Sequence, residues 1–450
     1  MASELKTETT PAGARGGDDL HRWDREHLIH PQYVPESDSR TRIMVKGEGA
    51  RLEDSDGRRY LDATGGLWCA QVGHGRPELA EAASKQMGEL EFFASFWDFS
   101  NEPSVRLARR LVELAPDNIG GVYFTVGGSE SNEIAMMMAR MYHSRNGQPD
   151  RNVILSRNQA YHGITYGART ATGLDAFHTE VGPLPGGFHY LTPPKPYRVE
   201  NCTDICVEEL ERTIEELGAE KIAAMIGEPI MGMAGMVSPP EDYWPRMSEV
   251  LREHGILLIF DEVVTGYGRT GTWFGAEHFG VNPDLISTAK GITSGYLPLG
   301  AVLVSEAVRD TVLSEGFIAG FTYTGHPTCC AVALRNLELL EDEGLLDNAR
   351  TTGAYLLERF EELEDLACVG EVRGKGLMLG IELVEDRESK EPAVDLAELL
   401  GERFTDEAGV IVRNVAQNLI FSPPLVFTRE DCDELVGAVR SMLEKYAPAA

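Results

Sequence analysis

Two ionisable side chains in the middle of the chain each follow a short run that reads as a strand. Asp261 follows the run 256–260 (ILLIF), and Lys290 follows the run 285–289 (LISTA). The first run is wholly apolar, which is typical of a strand buried on both faces of a parallel sheet, and the second reads as another short strand. Ligands of such sheets bind at the carboxyl ends of the strands. We therefore expect a carboxylate and a primary amine to meet at one edge of a sheet. Only nine lysines occur among the 41 basic residues, so a lysine placed in an apolar stretch indicates chemistry rather than solubility.

A third feature is a glycine turn between a predicted strand and a predicted helix. The run 122–126 (VYFTV) leads into Gly127, Gly128 and Ser129, and a helical pattern follows over 134–143. Glycines allow a close approach of the backbone, and the free N–H groups of a helix N-terminus favour a phosphate. An ordinary strand–helix turn with a serine cap is the alternative reading of these residues.

Two kinds of chemistry fit a strand that ends in Asp-Glu. A P-loop ATPase would need a glycine loop that ends in Lys-Ser or Lys-Thr. Neither 127–129 nor 374–376 provides that motif, which excludes this class. Pyridoxal phosphate needs a lysine for its aldehyde, a carboxylate for its ring nitrogen and a phosphate site. Lys290, Asp261 and the turn at Gly128 suit these three roles, and Tyr161 is a candidate to stack on the ring.

The elements that must position these residues alternate between strand and helix. This alternation predicts an α/β fold, with a mostly parallel sheet flanked by helices. A chain of 450 residues is too long for a single core. We expect a disordered segment at 1–24, the N-terminal part of a small domain at 25–64, a large cofactor-binding domain at 65–328 and the C-terminal α+β part of the small domain at 329–450. A hairpin is expected around the Asp56-Gly57 turn.

Composition narrows the possible partners and the compartment. The net charge is −31, so a phosphate backbone would be repelled and nucleic acid is not an expected partner. No apolar run approaches the roughly 20 residues that span a bilayer, and no apolar leader is visible at the N-terminus. The seven cysteines show no metal-binding or CxxC spacing. A cytoplasmic protein without a membrane contact is therefore expected.

Several motifs carry a resemblance to a known family. FDEVVTGYGRTG at 260–271, STAKGITSGYLPLGAV at 287–302, YHG at 161–163, GEPI at 227–230 and TYTGHP at 322–327 together resemble class III aminotransferases, which are pyridoxal phosphate enzymes of fold type I. GGLWC at 65–69, SGYLPLG at 294–300 and VRN at 412–414 are similar to the ω-transaminase (amine:pyruvate) branch. The resemblance covers roughly residues 25–446. It implies a large domain with a mostly parallel seven-stranded sheet and a smaller α+β domain.

The resemblance also implies a role for particular residues. Lys290 matches the lysine that forms the Schiff base and moves the proton, and Asp261 matches the partner of the ring nitrogen. Val263 matches the residue on the ring face opposite Tyr161. The other implied cofactor contacts are Gly128, Ser129, His162, Glu228 and Thr322.

The substrate contacts are implied in the same way. Trp68 and Tyr161 match residues that line the substrate pocket, and Arg413 matches a mobile arginine that grips a substrate carboxylate. Phe96 and Trp97 lie where the family places aromatic residues of the partner chain. Thr322 matches a threonine that reaches the phosphate of the neighbouring subunit. The resemblance therefore implies a homodimer with shared sites, in which dimers could pair into tetramers.

The activity that we expect is a ping-pong transamination through pyridoxamine phosphate. An amine donor, either a primary amine or an ω-amino acid, would give its amino group to a keto acid such as pyruvate. Four alternatives stay open: a transaminase for β-alanine, GABA or taurine, a decarboxylating relative, an aminomutase, and a catalytically silent binding or scaffold protein. The presence of both Lys290 and Asp261 argues against the last of these.

Overall fold

The structure is a computed structural model that describes residues 17–32 and 41–447. It begins with helix α1 (Gly17–His27) and an antiparallel sheet of strands β1 (Met44–Glu48), β2 (Arg51–Asp54) and β3 (Arg59–Asp62). The predicted hairpin at residues 56–57 is confirmed as the turn between β2 and β3. Asp54 holds this turn, since its Oδ1 accepts the N–H groups of Asp56 and Arg58 at 3.0 and 2.9 Å.

Helix α1 corrects part of the disorder expected for residues 1–24. Residues 17–24 are helical, and residues 1–16 lie outside the described part of the chain. His21 of the helix is buried, with its Nε2 3.8 Å from Oδ1 of Asp56 in the hairpin. The prediction was wrong for residues 17–24 because this contact is long-range and leaves no periodic pattern in a short polar segment.

The centre of the molecule is a seven-stranded sheet preceded by three helices. The helices are α2 (Gly65–Trp68), α3 (Pro77–Leu90) and α4 (Glu102–Leu114). The strands are β4 (Ile119–Thr125), β5 (Val153–Arg157), β6 (Phe188–Leu191), β7 (Ile222–Gly227), β8 (Leu257–Asp261), β9 (Leu285–Thr288) and β10 (Gly300–Ser305). Their order is β4-β10-β9-β8-β7-β5-β6. Only β10 runs against its two neighbours, which confirms the mostly parallel seven-stranded sheet.

Helices cover both faces of this sheet. They are α5 (Gly128–Arg145), α6 (Tyr166–Ala171), α7 (Cys202–Leu217), α8 (Tyr243–Glu253) and α9 (Glu306–Leu313). Strand β8 is buried along its whole length. Its Phe260 packs in the core with Trp244 of α8, and its Ile259 packs in a second core with Met136 of α5. The continuous apolar run before Asp261 follows from this burial on two sides. No helix in the described ranges is long and apolar enough to cross a membrane.

The C-terminal third forms a second α+β unit. Its elements are α10 (Pro327–Asp342), α11 (Leu345–Glu361), β11 (Val369–Lys375), β12 (Met378–Asp386), β13 (Glu391–Pro392), α12 (Val394–Glu407), β14 (Val410–Ile411), β15 (Arg413–Val415), β16 (Asn418–Phe421) and α13 (Arg429–Tyr446). Strands β11-β12-β16-β15 form an antiparallel sheet, and β13 pairs with β12. Strand β14 pairs in parallel with β3. This pairing joins the two segments that were expected to form the small domain.

Arg373 of β11 connects the C-terminal sheet to the centre of the molecule. Its Nε donates to the carbonyl of Gly235 at 2.8 Å, and its Nη1 donates to Glu382 at 2.7 Å. Gly235 lies in the loop 230–237, whose ends are bridged by Met231 and Val237. The C-terminal unit thereby fixes a loop that lies beside the carboxyl ends of the central strands.

Gly353 of α11 gives a test of this packing. A Cβ atom at Gly353 would lie 2.1 Å from the carbonyl oxygen of Gly376, so an alanine must push two backbones apart. We expect Gly353→Ala to lower the free energy of unfolding by about 1–3 kcal/mol, measured as a lower thermal midpoint. The matched control is Gly437→Ala in α13, where a Cβ atom meets nothing within 4 Å. Alanine should raise the midpoint there because it favours the helix. Equal midpoints for both variants would contradict the packing of α11.

Candidate active site

The carboxylate of Asp261 is buried at the end of β8. Its Oδ2 accepts hydrogen bonds from Nδ2 of Asn132 and Nδ1 of His162, both at 2.8 Å. Its Oδ1 accepts the N–H of Val263 at 3.1 Å. Burial of a carboxylate is costly unless donors replace water. The three donors fulfil this requirement and leave the rest of the carboxylate facing the cavity.

Asn132 connects the two other elements that surround this carboxylate. It lies one turn into α5, and its Nδ2 also donates to the carbonyl of His162 at 2.7 Å. The N–H of His162 in turn donates to Oγ1 of Thr172 at 2.9 Å. His162 was predicted as a site residue, whereas Asn132 was not. One feature could have indicated Asn132. It is a polar residue on the buried side of α5, close to the apolar and buried Ile134 and Ala135.

Lys290 follows β9, the strand adjacent to β8. Its backbone has a φ of +47°, a left-handed conformation that costs free energy in a residue other than glycine. Asn336 supports the turn that follows, since its Nδ2 donates to the carbonyls of Gly291 and Ile292 at 2.9 and 3.1 Å. Burial lowers the pKa of Lys290, and the nearby Asp261 opposes this shift. The lysine therefore supplies more of the uncharged, nucleophilic amine than an exposed lysine would.

One cavity joins these groups. The Nζ of Lys290 lies 4.9 Å from the ring centroid of Trp68, which is 5% exposed. The predicted site residues that line the cavity are Trp68, Gly128, Ser129, Tyr161, His162, Glu228, Asp261, Val263 and Lys290. Lining residues that sequence reasoning missed are Asn132, Gly163, Ile230, Met233, Val264 and Thr265.

The N-terminus of α5 forms one end of the cavity. A Cβ atom at Gly128 would lie 3.0 Å from both methyl carbons of Val263, and one at Gly163 would lie 2.3 Å from Oγ of Ser129. Oγ of Ser129 accepts the N–H of Ile164 at 3.2 Å. Glycine at both positions lets the backbone N–H groups of the helix start face the cavity. This arrangement suits a phosphate.

Tyr161 and Glu228 form another wall of the cavity. The Tyr161 ring packs edge-on against Phe177 at 5.3 Å between centroids. The Glu228 carboxylate accepts the N–H groups of Tyr161 and Gly232 at 3.3 and 2.8 Å. Burial raises the pKa of the Tyr161 hydroxyl and that of the Glu228 carboxyl. Because Tyr161 and Val263 both line the cavity, a flat ring can be placed between them.

Several polar atoms of the cavity fit a polar ligand. Nε2 of His162, Oδ1 of Asn132 and Nε1 of Trp68 are buried without a hydrogen-bond partner in the described part of the chain. Together with the buried Asp261 and the glycine-lined helix start, they match a ligand that carries a ring nitrogen and a phosphate. The residues therefore fit pyridoxal phosphate.

Four predicted site residues lie outside the cavity lining of this single chain. Thr322 is exposed, and Trp97 is 90% exposed. Phe96 contacts Trp97 at 5.7 Å between ring centroids and packs against Gly320. Arg413 is exposed, with an Nη2 3.5 Å from Oε1 of Gln32. Their roles in the site stay predictions.

Comparison with known proteins agrees with this geometry. The model of the family "Aminotransferase class-III" matches residues 33–443. The chain belongs to the class III aminotransferases. A putrescine–pyruvate aminotransferase from Pseudomonas aeruginosa is 39% identical over 440 residues, which cover 94% of this chain and 96% of that protein. A γ-aminobutyrate transaminase from Solanum lycopersicum is 36% identical and covers 88% of this chain and 79% of that protein.

Solved structures of this family share the fold. A thermostable (S)-enantioselective ω-transaminase from Thermomicrobium roseum has a TM-score of 0.93 and 46% identity, covering 96% of this chain and 99% of that chain. An amine transaminase from an uncultivated Pseudomonas species, in its PLP-bound form, has a TM-score of 0.89 and 40% identity. The match covers 94% of this chain and 98% of that chain. The chain is a pyridoxal phosphate-dependent transaminase of fold type I, which confirms the predicted family, fold and cofactor.

Asn132 allows a test of the support for Asp261. We expect Asn132→Ala to lower the free energy of unfolding by about 1–3 kcal/mol, because a buried charge loses a donor. The matched control is Asn118→Ala, which removes a hydrogen bond of 2.8 Å to the carbonyl of Pro283 and should cost about 1 kcal/mol. Both values are read from unfolding of the cofactor-free protein. A loss for Asn132→Ala no larger than that for the control would contradict the supporting role.

Proposed function

We propose that this transaminase moves an amino group from a primary amine or an ω-amino acid to a keto acid such as pyruvate. The observation that carries the proposal is the single cavity that holds a buried Asp261, the amine of Lys290 and an open helix start at Gly128. The similarity to a putrescine–pyruvate aminotransferase and to ω-transaminases supports amines and pyruvate as the substrates.

We assign the cofactor contacts within this cavity as follows. Lys290 would bond to the aldehyde, and Asp261 would face the ring nitrogen. Gly128 and Ser129 would hold the phosphate, while Tyr161 and Val263 would lie on opposite faces of the ring. Glu228 and His162 would border the same ring. Pyridoxal phosphate, when bound, supplies an electron sink for the carbon that loses its proton.

The proton transfers fall to Lys290. Its Nζ would take the proton from the carbon that bears the amino group and deliver it within the same cavity. Burial favours its uncharged form, which is the form that accepts a proton. The negative charge of Asp261, kept in place by Asn132 and His162, would hold a positive charge at the ring nitrogen. Trp68 would exclude water from the cavity and line the substrate pocket together with Tyr161.

We further propose that two chains share their sites in a homodimer. Thr322, Phe96 and Trp97 would then serve the cavity of the other copy. Large apolar side chains on the surface of the described chain support this. Trp97 and Ile318 are 90% and 101% exposed, which is unusual for a surface that faces water. Sedimentation of the purified protein tests the proposal: a monomer contradicts it, and a doubled dimer mass would show the tetramer.

A cytoplasmic location is also proposed. All seven cysteines are unpaired, which fits a reducing compartment. Alkylation of the denatured protein, purified without reductant, should modify all seven thiols. Fewer modified thiols would indicate disulfides and contradict the location.

A second candidate substrate class is that of γ-aminobutyrate, β-alanine or taurine. The similarity to a γ-aminobutyrate transaminase favours it. A panel of amine donors with pyruvate, read by alanine formation, separates the classes. We expect alanine to form with primary amines that carry no charged group besides the amine. Turnover limited to ω-amino acids would favour the second candidate, and no alanine with any donor would contradict both.

Replacement of the amine tests the catalytic assignment. Lys290→Ala should abolish transamination in the presence of pyridoxal phosphate, because the proton acceptor is lost. The matched control is Lys195→Ala, since burial also lowers the pKa of Lys195 although it lies outside the cavity lining. This control should keep wild-type turnover. Retained turnover and a normal visible absorption band in Lys290→Ala would contradict the assignment.

The role proposed for Arg413 predicts unequal effects on the two half-reactions. In Arg413→Ala, we expect the reaction with the keto acid to weaken about 10- to 100-fold, because a charge-assisted contact with a carboxylate is lost. The reaction with an uncharged-tail amine should change less. Single-turnover kinetics measure each half separately, and Arg403→Ala in α12 is the exposed-arginine control. Equal losses in both halves would indicate a structural role instead.

A further inference from the structure

The backbone that leads to Trp68 is held in a sparsely populated conformation. Gly65 and Gly66 have φ values of +54° and +67°, and Trp68 itself has a φ of +61°. A left-handed conformation at a bulky residue persists only when its surroundings enforce it. The intrinsic backbone preference of the segment 64–68 does not explain where this cavity wall lies. The position of the wall therefore depends on the contacts that the segment makes.

Asp62 makes those contacts. Its carboxylate is fully buried, and four donors surround it. Oδ1 accepts the N–H and the hydroxyl of Thr64 at 3.0 and 2.9 Å. Oδ2 accepts the N–H of Gly66 at 2.7 Å and a hydrogen bond from Nε2 of His74 at 2.8 Å. The carbonyl of Thr64 then accepts the N–H of Trp68 at 2.9 Å. The carboxylate thus connects through Thr64 to the backbone of Trp68, and the position of this backbone sets where the indole lies.

Two residues beside Asp62 in this network, His74 and Gly65, pack against two different sheets. The backbone of His74 exchanges hydrogen bonds with Gly49, at 3.0 and 2.8 Å, beside strand β1. A Cβ atom at Gly65 would lie 2.6 Å from the carbonyl oxygen of Ser422, just after β16. The segment is therefore packed between the N-terminal hairpin and the C-terminal sheet, and Asp62 is the charged group at its centre.

We propose that Asp62 is a specificity-determining positioning residue, which fixes Trp68 at the cavity wall and so limits the size of the amine that the cavity admits. The inference rests on the proposed function, since it takes the wall at Trp68 to face the substrate. Asp62 itself is not among the residues that line the cavity. Its loss should change which substrates are accepted while Lys290 and Asp261 remain in place.

Asp54 provides a matched control in the same hairpin. It is also a buried aspartate at the end of a strand. Its carboxylate accepts two backbone N–H groups and the Tyr60 hydroxyl, the latter at 2.6 Å. Neither Asp54 nor the turn that it holds is among the residues that line the cavity. Asp54→Asn therefore reproduces the loss of a buried carboxylate without the connection to Trp68.

The first experiment compares two amines in the holoenzyme. In Asp62→Asn the side chain keeps one acceptor oxygen. It therefore cannot accept both from Thr64, which donates to Oδ1 in the wild type, and from Gly66 and His74, which donate to Oδ2. We expect Asp62→Asn to change the ratio of kcat/KM for α-ethylbenzylamine to that for isopropylamine about tenfold in favour of the larger amine. Asp54→Asn should leave this ratio within about twofold of the wild-type value. The ratio does not depend on the amount of correctly folded enzyme, so a general loss of stability does not move it.

The second experiment uses the protein without cofactor or substrate. The fluorescence of Trp68 is obtained as the difference between each protein and its Trp68→Phe counterpart. In Asp62→Asn this difference signal should be quenched by acrylamide more strongly than in the wild type, because the indole is no longer fixed in its buried position. In Asp54→Asn it should be unchanged.

The outcomes separate the two proposals. If the wild-type enzyme forms alanine with no donor of the panel, the proposed function fails, and the quenching experiment still tests the positioning role. If it accepts other donors but neither of these two amines, the quenching experiment alone decides the positioning role. If the wild type is active and Asp62→Asn keeps both the wild-type ratio and the wild-type quenching, the inference is overturned. Should Asp62→Asn not fold, Thr64→Ala and His74→Ala each remove one side-chain donor from the Asp62 carboxylate. An unchanged ratio in both of these variants overturns the inference as well.

Discussion

The burial of one carboxylate, that of Asp261, constrains the arrangement of the rest of the site. A carboxylate taken out of water requires donors on its protein side, and these come from Asn132 on α5 and His162 after β5. Both elements must therefore approach the end of β8, and the approach of α5 places its N-terminus against the same cavity. Strand β9 runs parallel to β8, so Lys290 is delivered to the same sheet edge. The acid, the amine and the helix start at Gly128 are thus brought together by one packing requirement.

The floor and the walls of the cavity have different origins. The floor consists of strand ends and a helix start, whose positions are fixed by the buried sheet. The walls are segments held by side chains from elsewhere: Trp68 through Asp62, and the loop 230–237 through Arg373. A rigid floor suits chemistry, which tolerates little displacement of reacting atoms. Walls that depend on a few hydrogen bonds allow selectivity to change without disturbing that chemistry.

The features predicted correctly from the sequence are those encoded by local patterns. The buried run before Asp261, the glycine turn at Gly128 and the alternation of strands and helices all depend on neighbouring residues. Asn132 was missed because a polar residue near a helix start usually caps the helix or faces water. Helix α1 was missed because it is stabilised by distant residues of the hairpin. Thr322, Trp97 and Arg413 lie outside the cavity lining in one chain, so the roles proposed for them require a second copy or a movement of the chain.

The central claim is that Lys290 and Asp261 face one cavity that holds the cofactor. Borohydride reduction of the holoenzyme, followed by digestion and mass spectrometry, measures which lysine bonds to the cofactor aldehyde. The chain offers nine lysines. Four of those in the described ranges, Lys46, Lys85, Lys221 and Lys445, are exposed and so easier to modify at random. The account predicts that Lys290 carries the phosphopyridoxyl group, in an amount close to one per chain. A group found mainly on any other lysine, or spread over several, would contradict it.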